Sequence, residues 1–309
     1  MTATATHTTM VYDGDRHYAT EVGGFLRDGL ERGHRALVMA PESRVEAIRR
    51  ALGGDADEVS FVDHAVAYGP QWNAYRVLLD FAAEAPGVRS CVVAEQPLAA
   101  RGPAELLDYR RLEAAAGLVF ADQPVDLFCP YDARLPGHLL DIALEAHDGV
   151  RDNGSVTPNP RVREPLAVLA ELAAVARPPS GAATLDCSHH SELALVRGQV
   201  RARGADLGLD RGVVADVELA VTEVVTNALV HGSAPVVVHV YDEDGMWVWH
   251  VQDGGGLPVA PLAGLLPPAE PADHGYGLWL ARQLVAAVDV GCDDTGTHVR
   301  LHTRARLAS

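Results

Sequence analysis

Apolar residues along this chain recur with two different periods. In residues 1–150, Arg35 to Ala40, Val59 to Val62 and Val88 to Ala94 are short apolar runs that read as buried strands. The stretches 19–32, 42–52, 72–84 and 104–116 carry helix-like spacing. Strands alternating with helices at this interval predict a parallel α/β sheet with helices on both faces, a three-layer domain. Gly149 to Pro165 then carries Asn-Gly, Pro-Asn-Pro and several charges and reads as a loop or linker. Leu166 to Ala176 reads as a short amphipathic helix, broken by Pro178-Pro179-Ser180-Gly181.

From about Ala183 the pattern changes. Helices are expected around Glu192–Ala205 and over 212–231. Pro235–Tyr241 and Met246–Gln252 alternate as two strands joined by Asp-Glu-Asp-Gly, a hairpin signal. A loop rich in glycine and proline covers 253–276, followed by a helix over Leu278–Ala287 and a closing strand over His298–Thr303. Helices with an antiparallel sheet predict an α/β sandwich. The expected organisation is therefore a domain over 1–150, a linker over 151–182 and a second domain over 183–309. No internal repeat is visible.

Composition narrows the function. The formal net charge is −17, which disfavours nucleic-acid backbones and anionic membranes and favours a basic protein surface as partner. The chain contains no lysine, which removes P-loop NTPases, eukaryotic-type protein kinases and Schiff-base enzymes. Cys91, Cys129, Cys187 and Cys292 are scattered without a C-x-x-C pair, so neither a disulfide framework nor a zinc site is expected. No stretch resembles a signal peptide, and no apolar run approaches the roughly 18 residues of a membrane span. A cytoplasmic location is expected.

The helix over 212–231 carries the most chemistry. Its spacing puts Glu223, Asn227 and His231 on one stripe, while Leu219, Val221, Val224, Val225, Ala228 and Leu229 cover other sides. A carboxylate that can take a proton beside an amide oxygen that can hold a hard cation suits nucleotide chemistry. Asp253-Gly254-Gly255-Gly256 follows a strand, and Gly275-Tyr276-Gly277-Leu278 opens a helix. Each of these occurs by chance in loops and caps. Their order and spacing together point to a nucleotide site.

On these residues, 183–309 resembles the GHKL ATPase fold, and within it the anti-sigma-factor serine kinase branch typified by RsbW and SpoIIAB. The matching core is Glu223, Asn227, Ala228 and His231. The resemblance implies ATP and Mg²⁺ as cofactors, with Asn227 holding the metal and Glu223 as general base. It implies that Asp253 takes the adenine amino group and that Thr297, after Gly296, supports that contact. Gly255 and Gly256 would admit close backbone approach. Gly275 and Gly277 would form a second glycine box, with the helix from Leu278 presenting N–H groups to phosphate.

The implied activity is phosphorylation of a serine or threonine on a STAS anti-sigma antagonist, coupled to sequestration of a sigma factor, with homodimerisation implied as well. Two departures stand out. The first glycine box is one residue shorter than D-x-G-x-G, and residues 254–276 contain no arginine, the nearest downstream cation being Arg282. A non-catalytic module that binds ATP, or no nucleotide, and works by protein association is therefore a second reading. A third, a degenerate sensor histidine kinase, would use His189 or His190 as phospho-acceptor.

The first domain resembles the MEDS sensory domain. The resemblance rests on His7 through Asp15, Phe25 to Gly33, Phe61-Val62-Asp63, Ala94-Glu95-Gln96-Pro97, the helix from Pro103 to Glu113, and Cys129-Pro130-Tyr131-Asp132. It implies a sensor for a small molecule or protein signal. His7, Tyr12-Asp13-Gly14-Asp15, Asp63, Glu95, Arg101 and Cys129-Pro130-Tyr131-Asp132 sit near expected strand ends, where such sheets bind ligands.

Overall fold

The computed structural model describes residues 5–69, 72–256, 259–266 and 275–304. The chain divides into two compact units. One comprises 1–69, 73–101 and 110–168; the other comprises 70–72, 102–109 and 169–309. Among the described residues, no helix is long and apolar enough to cross a membrane.

The first unit contains β1 (Thr6–Tyr12), α1 (Gly14–Glu31), β2 (Arg35–Met39), α2 (Glu42–Leu52), β3 (Val59–Val62), α3 (His64–Tyr68), α4 (Asn73–Ala83), β4 (Ser90–Ala94), β5 (Val125–Asp132), α6 (Gly137–Ala146), β6 (Gly149–Asp152) and β7 (Ser155–Pro158), together with α5 (Pro103–Val119) from residue 110 on and α7 (Pro165–Leu172) as far as residue 168. The sheet order is β3-β2-β4-β5-β1-β6-β7. Every described pairing in it is parallel except β6 with β7. Strand alternation divides the side chains between two faces. Met10, Tyr12, Val38, Val93 and Phe128 meet α1 and α2 in one core. His7, Leu127 and Cys129 face the other way, toward Tyr75 and Leu78 of α4 and Leu112 and Glu113 of α5. The three-layer parallel architecture is the one the alternating pattern predicts.

The expected linker begins differently. Residues 149–158 form a hairpin that extends the first sheet, with Arg151 paired to Val156 and Asp152 to Ser155. Its turn is Asn153-Gly154, with φ of 48° and 74°. Two successive positive φ values make the tight hairpin turn that Asn-Gly favours. The same dipeptide reads as a loop when the flanking strands are four residues long and polar.

The second unit contains β8 (Ala183–Asp186), α8 (Leu193–Asp206), α9 (Arg211–His231), β9 (Val236–Glu243), β10 (Met246–Asp253), α10 (Tyr276–Leu284), β11 (Ala287–Asp293) and β12 (Gly296–Arg304). Its antiparallel sheet has the order β11-β12-β10-β9-β8. The Asp210 side chain starts α9 by accepting from the Gly212 N–H at 2.8 Å. Val217, Ala220, Val221, Val224, Val225 and Ala228 form its buried stripe, packed on Val236, Val238, Trp249, Val251 and Leu301 of the sheet. The helix expected over 278–287 instead stops at Leu284, and Ala287 already begins β11. Its β-branched residues complete the sheet edge, where they bury against β12.

The opposite face of this sheet is polar and buried. His250 Nε2 lies 2.9 Å from His298 Nδ1, and its Nδ1 lies 3.2 Å from the Tyr241 hydroxyl. His298 Nε2 in turn lies 3.1 Å from Asp293 Oδ1. Burial first, then the charges of His298, Arg300, His239 and His302, push the His250 imidazole down to about 3. Below the ordinary histidine pKa of about 6.5, the unfolded chain takes up a proton that the folded chain refuses. Stability is therefore full above that pH and falls as pH drops from there toward 3, by up to about 1.4 kcal/mol per pH unit from this group. Urea unfolding of wild type and His250→Gln at pH 7 and pH 5 checks this: the variant should lose less stability on acidification. An equal loss in both removes His250 as the cause.

Candidate functional site

Strand alternation decides what faces the helices in the second unit. Trp249 and Val251 of β10 point into the helical core, so Asp253, two residues on, points the same way. On β12, Thr297 lies directly opposite Asp253 and Val299 opposite Val251. Together with α9 they enclose a cavity of about 530 Å³. Its walls are largely aliphatic, including Val224, Val251, Val259, Leu278 and Val299. Its polar members include Asn227, His231, Asp253 and Thr297. An apolar pocket of this volume with a few convergent polar groups suits a nucleotide-sized ligand.

The remaining expected site residues fall around this cavity. Gly275, with φ of 134°, precedes α10 and lines it, as does Leu278. Gly277 is buried against the stripe on α9. A methyl group there would approach Asn227 Nδ2 to 2.9 Å and Glu223 Oε2 to 3.1 Å. Glu223 and Asn227 thus meet the first turn of α10, although Glu223 is outside the cavity wall itself. The Gly255 N–H donates to Asp253 Oδ1 at 2.6 Å. Gly256 has φ of 83° and lies near the carbonyl of Asp293. Of the glycine- and proline-rich loop expected over 253–276, residues 257–258 and 267–274 lie outside the described residues.

Several wall residues escaped sequence reasoning. Gly232 follows α9, and a methyl group on it would come within 2.5 Å of Asp253 Cγ. A glycine directly after the His231 motif was the available signal for that close approach. Val259, Ala263 and Gly264 belong to a loop without periodicity, and nothing in their spacing marks them. Arg282, the nearest downstream cation, is buried: it donates to Asp108 Oδ1 at 2.9 Å and to the Val288 carbonyl at 3.0 Å. His189 and His190 start a short turn ahead of α8, where Glu192 accepts from the backbone N–H of Ser188 and His189. That is a helix-capping arrangement and does not present a histidine on a separate dimerising helix.

In the first unit, three groups named from the sequence converge at the carboxyl ends of the strands. The Tyr12 hydroxyl donates to Glu95 at 2.8 Å, and Arg44 reaches Tyr12 at 2.9 Å and Asp132 at 3.6 Å. Burial raises the Glu95 carboxyl, whereas hydrogen bonds from Arg134 hold Asp132 down to about 2. Asp63 instead caps α3, accepting from the N–H groups of Ala65 and Val66. Arg101 stands near Gln96, and His7 and Cys129 lie on the far face of the sheet.

Residues 6–148 match the family model described as MEDS, the methanogen/methylotroph, DcmR sensory domain. Residues 188–303 match the model of the histidine kinase-like ATPase domain. The chain carries a MEDS domain followed by a histidine kinase-like ATPase domain. Solved structures similar to this MEDS–ATPase chain include the RsbU and RsbW domains of Rv1364c from Mycobacterium tuberculosis. That match has 26% identity and a TM-score of 0.30, covering 41% of this chain and 35% of the other. The chain thus spans about a third of that relative's length. The histidine kinase domain of the E. coli osmosensor EnvZ matches at 15% identity and a TM-score of 0.26, covering 43% of this chain and 94% of the other. No curated protein matches the MEDS–ATPase chain.

Proposed function

We propose that the ATPase domain binds ATP·Mg²⁺, sequesters a sigma factor and phosphorylates a serine or threonine of a STAS antagonist, under control of a small-molecule or protein signal at the MEDS domain. One observation carries this reading: Asn227, Asp253, Gly275 and Thr297 converge on a single largely aliphatic cavity, with Glu223 one helical turn from Asn227. The donor set fits the group. Asp253 and Thr297, directly opposite each other on β10 and β12, would take the adenine edge, and the aliphatic wall would suit its apolar faces. The N–H groups at the start of α10 serve phosphate oxygens. Asn227 would supply an amide oxygen to Mg²⁺, which neutralises phosphate charge when bound. Glu223 would act as general base, accepting the proton that the acceptor hydroxyl loses when the γ-phosphoryl group moves from ADP to the hydroxyl oxygen.

A second reading has its own support. Residues 254–276 contain no arginine. Arg282 is committed to Asp108 at 2.9 Å. A kinase usually stabilises the transferring phosphate with a cation. A domain that holds ATP and acts only by protein association needs none.

Calorimetry of the whole protein with ATP and Mg²⁺, followed by transfer of labelled γ-phosphate to STAS proteins, separates the two. Absent binding removes both ATP readings. Binding without transfer or hydrolysis leaves the association module. Asp253→Ala should weaken ATP binding about 10- to 100-fold, the loss of one or two buried polar contacts. Unchanged affinity would remove the adenine role of Asp253.

A further inference from the structure

The first unit brings together four side chains that the nucleotide chemistry does not use. His7 is on β1, Glu113 on α5, Cys129 on β5, and His147 directly follows α6. All four are buried, and one ligand atom of each lies within 4.8 Å of the others. His7 Nε2 is 3.6 Å from both Cys129 Sγ and Glu113 Oε2, and His147 Nε2 is 3.6 Å from Glu113 Oε2. For N–H···O pairs this separation is too long for a good hydrogen bond. It matches another geometry. Bonds of about 2.0–2.3 Å from a tetrahedral ion to nitrogen, oxygen and sulfur place neighbouring ligand atoms about 3.3–3.8 Å apart.

Two further observations point into the cluster. The His147 Nδ1 lies 2.5 Å from the carbonyl of Ala143. An N–H donated there fixes the tautomer and leaves the Nε2 lone pair aimed at the other three groups. That Nε2 is wholly buried and has no hydrogen-bond partner among the described residues. A backbone carbonyl orienting an imidazole from behind is the usual support for a metal-binding histidine. We propose that His7, Glu113, Cys129 and His147 hold one divalent transition-metal ion of the Zn²⁺ class inside the first unit.

The charges balance. A thiolate and a carboxylate neutralise a dication, so the loaded site carries no net charge into a buried environment, where an uncompensated charge is costly. Ligation requires neutral imidazoles and a thiolate. Loading therefore breaks the Cys129 S–H bond, forms the sulfur–metal bond and releases one proton to solvent. Sulfur and imidazole donors select a borderline ion over Mg²⁺ or Ca²⁺. Four protein ligands close the tetrahedron, which makes the ion a structural tie between β1, β5, α5 and the end of α6. The ligands are far apart in sequence, so no local spacing announces them.

The test uses the untagged full chain, purified without chelator and dialysed against metal-free buffer. Elemental analysis should find about one zinc per chain. Replacement by Co²⁺ should give the intense visible bands of a tetrahedral site and a sulfur-to-cobalt charge-transfer band in the near ultraviolet. Cys129→Ala should abolish the charge-transfer band, and His147→Phe should lower metal retention at least tenfold. The exposed pair His189→Ala/His190→Ala should keep the metal. Wild type without retained zinc or without the charge-transfer band overturns the proposal, whether or not the buried variants fold. Loss of the metal in the His189/His190 variant instead would overturn it as well.

Discussion

Replacing Glu223 with alanine should leave ATP binding within a factor of a few and lower phosphoryl transfer by about 10²–10⁴, the usual contribution of a positioned base. The split follows from position. Asn227, Asp253 and Thr297 line the cavity, whereas Glu223 stands behind Gly277, next to the first turn of α10. Truncating it would remove the proposed proton acceptor and leave the walls in place. The measurement is paired: calorimetric affinity for ATP·Mg²⁺ and the initial rate of labelled phosphate transfer. Equal losses in both would reassign Glu223 to binding. Full transfer without it would remove the general-base role.

Gly296→Ala should be the most damaging single methyl group in the second unit. Gly296 opens β12 with φ of 133°, and an added Cβ would lie 1.6 Å from the carbonyl oxygen of Asp253. No side-chain rotation relieves an overlap with backbone. Either the start of β12 or the end of β10 must move, and both carry cavity residues. Backbone strain and lost strand pairing together should cost about 3–5 kcal/mol. Urea unfolding reads the first consequence and ATP affinity the second. Thr297→Ala, one residue on, should change stability by no more than about 1 kcal/mol, the scale of one hydrogen bond. Wild-type stability in Gly296→Ala would sink the argument.

The central helix was legible because its apolar residues repeat at the helical period over 21 residues. Asp253 was legible from the glycine run after a strand and from the resemblance; that it lines the cavity follows from alternation along β10, which carries a side chain from Trp249 through Val251 to Asp253. Other parts were hidden by their own chemistry. β1 reads Thr-His-Thr-Thr-Met-Val-Tyr, too polar at its start for a central parallel strand, yet Thr9 pairs its hydroxyl with the Cys129 carbonyl at 2.8 Å. β11 was absorbed into the preceding helix because Leu-Val-Ala-Ala-Val is apolar at either period. The role of Gly232 depends on a carboxylate 21 residues downstream. Asp108 and Trp72, assigned by order along the chain to the first domain, belong to the second compact unit.

The second unit is therefore assembled from three separate stretches of chain. Its guanidinium at Arg282 is 3% exposed, sits 5.0 Å from the Trp72 ring centroid, and meets a carboxylate that lies 174 positions earlier. An excised fragment starting at residue 183 would inherit the cation and forfeit Asp108. A stranded interior charge of that kind typically costs about 3–5 kcal/mol, enough to consume much of a small domain's margin.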